Sequence, residues 1–267
     1  MVPLSDKEDV ALLWTGGWDS TFQLLQLLLV QRRRVTPFYL MHPKRLSTDK
    51  EIRTMKRIQD HILKEYPHTF ELLHPTQYFS ATDIPPDPEI SETYQSLRKE
   101  NYMGRQYDWL SRFCKANGIA DIQLCIHRHD KAHFFVEQIV SEGIDGLQTV
   151  FRVDPKFKNR KEYVLFRYFS FPIFELSKVE MAAVADKRGW KEIMNMTWFC
   201  HTPTKNETPC GKCNPCLYTI EEGLGWRIPL KGRIVSVLYR GLVRPLRSLA
   251  KLMLGQLGLL EYIHKGA

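Results

Sequence analysis

Residues 10–22 decide how this chain folds: Val10-Ala11-Leu12-Leu13-Trp14-Thr15-Gly16-Gly17-Trp18-Asp19-Ser20-Thr21-Phe22. Val10 to Trp14 is a short apolar run and reads as a buried strand. Thr15-Gly16-Gly17-Trp18-Asp19-Ser20 breaks it, and the largely apolar Thr21 to Val30, interrupted by Gln23 and Gln26, reads as a helix packed on a sheet. Strand, glycine turn and helix together leave free backbone N–H groups around a point where an anion can sit. Gly16 and Gly17 allow close approach or positive φ, and Ser20 is a candidate cap or anion contact. An ordinary strand-to-helix turn fits the same residues. The Lys-Ser/Thr pair of the common phosphate loop and the Gly-x-Gly-x-x-Gly of dinucleotide binders are both missing.

Outward from this turn the chain alternates. Val35 to Met41 reads as a second strand, Thr48 to Tyr66 as an amphipathic helix, and Thr69 to Leu73 as a third strand. Strand–helix alternation predicts a mostly parallel sheet. Pro75, Pro85, Pro86 and Pro88 make 74–91 a long loop or a lid. Ser91 to Asn117 reads as helical and is closed by Gly118, with Asp121 to Ile126 as the fourth strand. His127-Arg128-His129-Asp130-Lys131-Ala132-His133 then falls at the side where open α/β sheets bind ligands, either as a polar loop or as a substrate contact. Phe134 to Gly143 reads as a helix and Leu147 to Val150 as a short strand, while the charged stretch 154–162 reads as an exposed loop. Ser177 and Glu180 form a capping box for a helix running to about Lys187. Lys178 falls in its first turn, where a cation opposes the helix dipole; it is either a solvated helix residue or one that meets a phosphate.

The chain has 267 residues, 43% of them hydrophobic, and a net charge of +8. That is enough for one sizeable core with a small appendage, and the charge suits ATP, nucleic acid or acidic lipid. No basic–apolar–small leader is evident and no apolar run reaches spanning length, so the expectation is a cytoplasmic chain. Of six cysteines, Cys200, Cys210, Cys213 and Cys216 fall within seventeen residues. Four thiolates in two overlapping Cys-x-x-Cys steps suit tetrahedral zinc, and an iron–sulfur cluster needs the same four ligands.

Thr-Gly-Gly-Trp-Asp-Ser resembles the Ser-Gly-Gly-x-Asp-Ser signature of the PP-loop ATP pyrophosphatases. Thr197-Trp198-Phe199-Cys200, a nine-residue gap and Cys210-Gly211-Lys212-Cys213-Asn214-Pro215-Cys216 are similar to the zinc site of 7-cyano-7-deazaguanine synthase. Phe174 to Glu180 looks like that family's Leu-Ser-Lys-x-Glu segment, and Tyr102 to Gln106 like its Val-Pro-x-Arg-Asn segment. The resemblance covers about residues 8 to 225. It implies a three-layer α/β fold of the adenine-nucleotide-hydrolase (Rossmann-like) type with a zinc-binding segment at 197–218. It also implies an ATP-dependent ligase that adenylates a carboxylate, releasing pyrophosphate, for attack by ammonia or another amine. Magnesium and a structural zinc accompany that activity.

Carried over residue by residue, the nucleotide contacts fall on Trp14, Thr15, Gly16, Gly17, Trp18, Asp19, Ser20, Thr21 and Met41. The catalytic set is Asp19, Ser20, Arg105 and Lys178, and zinc falls to the four cysteines. Three stretches depart from the family pattern. Gln106 replaces asparagine, His127 to Asp130 occupy the region of a Gly-x-x-x-x-Asp stretch, and Leu40-Met41-His42 replaces Tyr-Gly-Gln. The resemblance implies 7-carboxy-7-deazaguanine as the acid, while these departures, in regions that contact substrate or nucleotide, allow a related deazapurine or another acid and a different amine, including one on a protein or nucleic acid.

Two rivals remain at this level. Sulfur transfer would have to use Cys114 or Cys125, and a non-catalytic nucleotide- or RNA-binding module would use the basic charge. A domain boundary is expected near 228, followed by a basic amphipathic extension over 229–267. That extension could pack on its own domain, bind a protein or nucleic-acid partner, or lie on anionic membrane. A homodimer is a further expectation.

Overall fold

The structure is a computed structural model and describes residues 9–43 and 45–246. The chain's contacts divide into two units, one ending at Trp198 and the other beginning at Phe199.

The first unit is built on a sheet that has seven strands among the described residues, in the order β3-β2-β1-β4-β7-β6-β5. These are β1 (Asp9–Leu13), β2 (Arg34–Met41), β3 (Gln77–Ser80), β4 (Ile122–Gln123), β5 (Val140–Asp145), β6 (Gln148–Val153) and β7 (Phe169–Phe171). The pairs β1–β2, β2–β3, β1–β4 and β4–β7 are parallel, whereas β6 runs antiparallel to both β5 and β7. The parallel α/β core is therefore present, with a hairpin added at one edge. β1 is central and nearly all buried, as its unbroken apolar sequence requires. From β1 the chain builds outward through β2 and β3, then crosses to β4 on the other side of β1. The order reverses between β1 and β4, and their C-terminal ends open the crevice where such sheets bind ligands.

The helices are α1 (Trp18–Leu25), α2 (Thr48–Glu65), α3 (Pro88–Glu100), α4 (Gln106–Asn117), α5 (His133–Val136), α6 (Lys161–Phe166), α7 (Lys178–Lys187) and α8 (Lys191–Met196). α1 starts three residues earlier than its apolar run suggests, with Gly17 as its N-cap and a π-helical turn over Gln26–Gln31 after it. The two glutamines that interrupt the apolar run differ in fate. Gln23 is fully buried and donates to Gln123 at 2.8 Å and Gln148 at 3.0 Å, tying α1 to the sheet through satisfied amides.

Four expectations are corrected. Thr69 to Leu73 is a 3-10 turn (Pro67–Glu71) ending in a single bridge from Leu73 to Val35, and the third strand lies at Gln77–Ser80, inside the expected loop. Pro88 opens a helix, because at N1 the missing N–H costs nothing. The 91–117 helix is two helices separated at Asn101–Arg105. The expected helix over Phe134 to Gly143 is one turn (α5) followed by β5, whose registry with β6 runs from Val140–Val153 to Asp145–Gln148.

In the second unit, α9 (Asn214–Thr219) follows the cysteine turn, and α10 (Leu230–Leu238) continues as a π-helical turn over Tyr239–Val243. The expected apolar stretch Leu246 to Ile263 lies, beyond Leu246, outside the described residues. No helix among the described residues is long and apolar enough to cross a membrane.

Candidate functional site

The turn after β1 is held from several sides. Gly16 has φ +66, and a Cβ there would stand 3.0 Å from Met55 Cγ and 3.3 Å from Thr54 Cγ2 on α2. Only glycine takes that conformation and that proximity without strain. The Gly16 carbonyl accepts the Trp198 N–H at 2.9 Å, and Lys50 Nζ lies 5.2 Å from the Trp198 ring centroid. Arg57 donates to the Met196 carbonyl at 2.7 Å, so α2 grips the same segment. Trp14 is fully buried and its Nε1 donates to Thr21 Oγ1 at 3.0 Å, closing the turn beneath the helix. Thr15 Oγ1 would lie 3.1 Å from a Cβ on Gly17. Trp18 and Ser20 are buried in the first turn of α1. Ser20 was a candidate cap, but the N-cap is Gly17, which offers no side chain, so the first N–H groups of α1 are left to a ligand or water.

Lys178 brings a second helix to this point. It is the first residue of α7, and its Nζ lies 3.5 Å from Asp19 Oδ2, with both side chains largely buried. The N-terminal turns of α1 and α7 therefore converge. Each carries partial positive charge, and Lys178 adds a full one, which Asp19 offsets. Asp19 Oδ1 is buried without a hydrogen-bond partner. An orphaned carboxylate oxygen beside an anion-attracting turn suits a hard cation such as magnesium accompanying a polyphosphate.

The start of α7 is fixed in place. Ser177 Oγ accepts the Glu180 N–H at 3.2 Å, and the Glu180 carboxylate accepts the Ser177 N–H at 2.7 Å. These bonds from Ser177 hold the Glu180 carboxyl below the ordinary glutamate value. Arg128, in the loop after β4, reaches the same place. Its N–H donates to the Leu176 carbonyl at 3.0 Å, its guanidinium bonds the Glu175 carbonyl, and Nη1 lies 3.5 Å from Glu180 Oε2. In the sequence Arg128 belongs to a stretch that fits either a polar loop or a substrate contact. Its role as a strap was hidden because its partners lie about fifty residues further along the chain.

The rest of the 127–133 loop also packs inward. Asp130 accepts the Tyr107 hydroxyl at 3.3 Å and the Ala132 N–H at 2.7 Å. Burial, and then the Asp130 charge, push the Tyr107 phenol far above its usual range, with Asp19 adding to it. His133 stacks on Phe174 with centroids 4.1 Å apart, and burial pulls its imidazole below the usual histidine value. Burial and then Asp19 push the Cys125 thiol well up, and burial alone does the same to Cys114.

Met41 ends β2 and lines a cavity of about 460 Å³ with His42, Arg45, Leu46, Asp49 and Ser80. Its rim is organised by Glu51, a buried carboxylate that accepts Tyr39 OH at 2.8 Å and Ser47 Oγ at 2.7 Å and lies 3.0 Å from Arg45 Nε. Nothing in the amphipathic pattern of α2 marks this glutamate as buried. Arg105 is exposed at the N-cap of α4, unlike the largely buried Asp19–Lys178 pair.

The four cysteines of the second unit meet. All four sulfurs lie within 4.8 Å of one another. Cys210 Sγ lies 3.9 Å from Cys216 Sγ, and Cys213 Sγ lies 3.8 Å from Cys200 Sγ. A tetrahedron with zinc–sulfur bonds of about 2.3 Å has edges of about 3.8 Å, so the set fits one zinc ion. Backbone N–H groups of Cys210, Lys212 and Cys213 point at the sulfurs, as thiolates require. Hydrogen bonding with the neighbouring Cys200 and Cys216 sulfurs holds the Cys213 thiol far below the usual cysteine range. Gly211 makes the turn at φ +77, and a Cβ there would fall 1.9 Å from the Gly232 carbonyl oxygen, so α10 sits directly against the cysteine turn.

The family model described as Queuosine biosynthesis protein QueC matches residues 9–222, from the first strand through the last cysteine. No curated protein matches the chain. The matched stretch covers most of the sequence and includes both the glycine turn and the cysteine cluster, and the chain belongs to the Queuosine biosynthesis protein QueC family.

Proposed function

We propose that this chain is an ATP-dependent ligase that activates a carboxylate as its adenylate and passes the acyl group to ammonia or another amine. The acid is a 7-deazapurine, 7-carboxy-7-deazaguanine or a close relative, and the fold is of the three-layer Rossmann-like nucleotide-binding type. The observation that carries this reading is the meeting of Lys178 and Asp19 at the converging first turns of α1 and α7, with Asp19 Oδ1 left without a partner. Family membership over residues 9–222 supports the same chemistry.

In the proposed mechanism, the backbone from Thr15 to Ser20 cradles the β and γ phosphates of ATP, and Trp14, Trp18 and Thr21 shape the turn beneath them. Met41 and the cavity beside it receive the nucleoside. The substrate carboxylate oxygen attacks the α-phosphorus, the bond to the β-phosphate oxygen breaks, and pyrophosphate leaves with that electron pair. Lys178, helped by Arg105, offsets the charge that grows on the leaving group. Asp19 would hold magnesium, which would supply screening of the phosphate charge. The amine then attacks the acyl carbon and AMP departs, giving an amide. A second activation at the amide oxygen would eliminate AMP to give a nitrile. No side-chain nucleophile is needed, and the upward-shifted thiols of Cys114 and Cys125 weigh against sulfur transfer.

Cys200, Cys210, Cys213 and Cys216 would hold a structural zinc, which would staple this polar segment in place. The test is incubation with ATP, magnesium, ammonia and 7-carboxy-7-deazaguanine, with products identified by mass. AMP and pyrophosphate together with an amide or nitrile are expected. Formation of ADP, or no ATP cleavage with any carboxylate offered, would overturn the reading.

A further inference from the structure

The second unit carries a surface that the proposed ligase chemistry does not use. α10 and its continuation to Leu246 pack through one face, where Gly232 and Ser236 are buried. The opposite face points outward and is apolar. Leu230 is 64% exposed, Ile234 52%, Val237 71%, Leu238 53%, Leu242 60% and Leu246 65%. Scattered exposed leucines need no explanation, but a continuous stripe on one helix does. At 100° per residue, Leu230, Ile234, Val237 and Leu238 share a face, with Lys231 on one side of it and Arg233 on the other. Trp226, 53% exposed, lies in the turn that leads into the helix.

Charge selects the occupant. Residues 229–260 contain six cations, Lys231, Arg233, Arg240, Arg244, Arg247 and Lys251, and no carboxylate. Arg240 is engaged inward by the Leu217 carbonyl and Glu221, whereas Lys231, Arg233 and Arg244 are exposed. Phosphates of a nucleic acid would meet the cations but leave the aliphatic stripe in water. An anionic bilayer satisfies both, because headgroups meet the cations while the stripe enters the acyl boundary. Among the described residues no helix is long and apolar enough to cross, and an apolar stripe flanked by cations suits a helix lying in the interface plane.

We propose that the outward face of residues 230–246 docks this protein on an anionic membrane surface.

The test is co-sedimentation of the full chain with phosphatidylcholine vesicles, with or without phosphatidylserine, at low and high salt. Binding is expected only to the phosphatidylserine vesicles, falling about tenfold or more as salt rises. Ile234→Asp with Leu242→Asp should abolish it. Arg233→Glu with Arg244→Glu should weaken it by about tenfold or more. Both pairs alter exposed residues, and circular dichroism of each should match the parent. No sedimentation with phosphatidylserine vesicles, or equal binding by the Ile234→Asp/Leu242→Asp variant, would overturn the proposal. So would lipid-free self-association that the same variant abolishes, because the face would then be an interface between copies.

Discussion

Lys178 Nζ and Asp19 Oδ2 stand 3.5 Å apart, one from the first turn of α7 and the other from the first turn of α1. A lysine at a helix N-terminus opposes the dipole, and Asp19 repairs that locally while leaving the cation where a phosphate can reach it. The pair should act as a unit. Lys178→Met and Asp19→Asn should each lower pyrophosphate release by about 100- to 1,000-fold, and the double variant should lose little more than either single one. Single-turnover assays with circular dichroism as the folding control measure this, and additive losses would show that the two act separately.

Gly16→Ala should be costly without touching any reacting group. The left-handed backbone and the contacts with Met55 and Thr54 predict a loss of about 1–2 kcal/mol in unfolding free energy. Urea denaturation of the variant provides the measurement, and an unchanged midpoint would mean the turn relaxes freely.

Gly211→Ala should be worse, because the obstacle is the Gly232 carbonyl, which belongs to backbone and cannot rotate away. A destabilisation of about 2–4 kcal/mol is expected together with reduced zinc content. Cys213→Ser should give the same metal loss through a missing ligand, without the backbone clash. Metal analysis of purified protein distinguishes the two by pairing zinc content with melting temperature.

The Glu180 carboxyl should titrate below the ordinary value of 4.5, chiefly because the Ser177 hydroxyl and N–H stabilise its charge. A folded-state pKa below the unfolded one gives stability that is fully present above the unfolded value. That stability is lost as pH falls through the folded value. Ser177→Ala should therefore raise the Glu180 pKa toward 4.5, read by carboxyl NMR titration. An unaltered titration in the variant would assign the depression to Arg128 instead.

Cys114 and Cys125 should resist alkylation at neutral pH in the native protein, since burial keeps both as thiols. Peptide mass analysis after iodoacetamide treatment checks this, and rapid labelling of Cys125 would reopen sulfur transfer.

What the sequence showed and what it hid have local physical causes. The glycine turn, the Ser177–Glu180 capping box and the cysteine cluster were legible because each is short-range, with partners within a few residues or a known ligand spacing. The β5–β6 hairpin was missed because Phe134, Phe135, Val136 and Ile139 mimic a helical stripe, although Asp145-Gly146 is a hairpin signal. The third strand was displaced because Thr69 to Leu73 has strand-like residues that begin with Pro67 in a tight turn, while Gln77–Ser80 hides among prolines. Gln23 interrupts the apolar run of α1 and is a satisfied buried amide. Arg128 and Glu51 depend on partners assembled by the fold, which no local pattern announces.

The hydrogen bond from Trp198 to Gly16 joins residues about 180 positions apart. At ribosomal speeds of about 5–20 residues per second, the glycine turn leaves the ribosome roughly 10–40 s before the segment that restrains it. Until then its carbonyl lacks the Trp198 N–H, and the turn rests only on its contacts with α2 and the Trp14–Thr21 hydrogen bond. A nascent chain should therefore collapse around β1 and β2 long before it can grip a polyphosphate, and a messenger truncated before Trp198 should yield a folded but open turn.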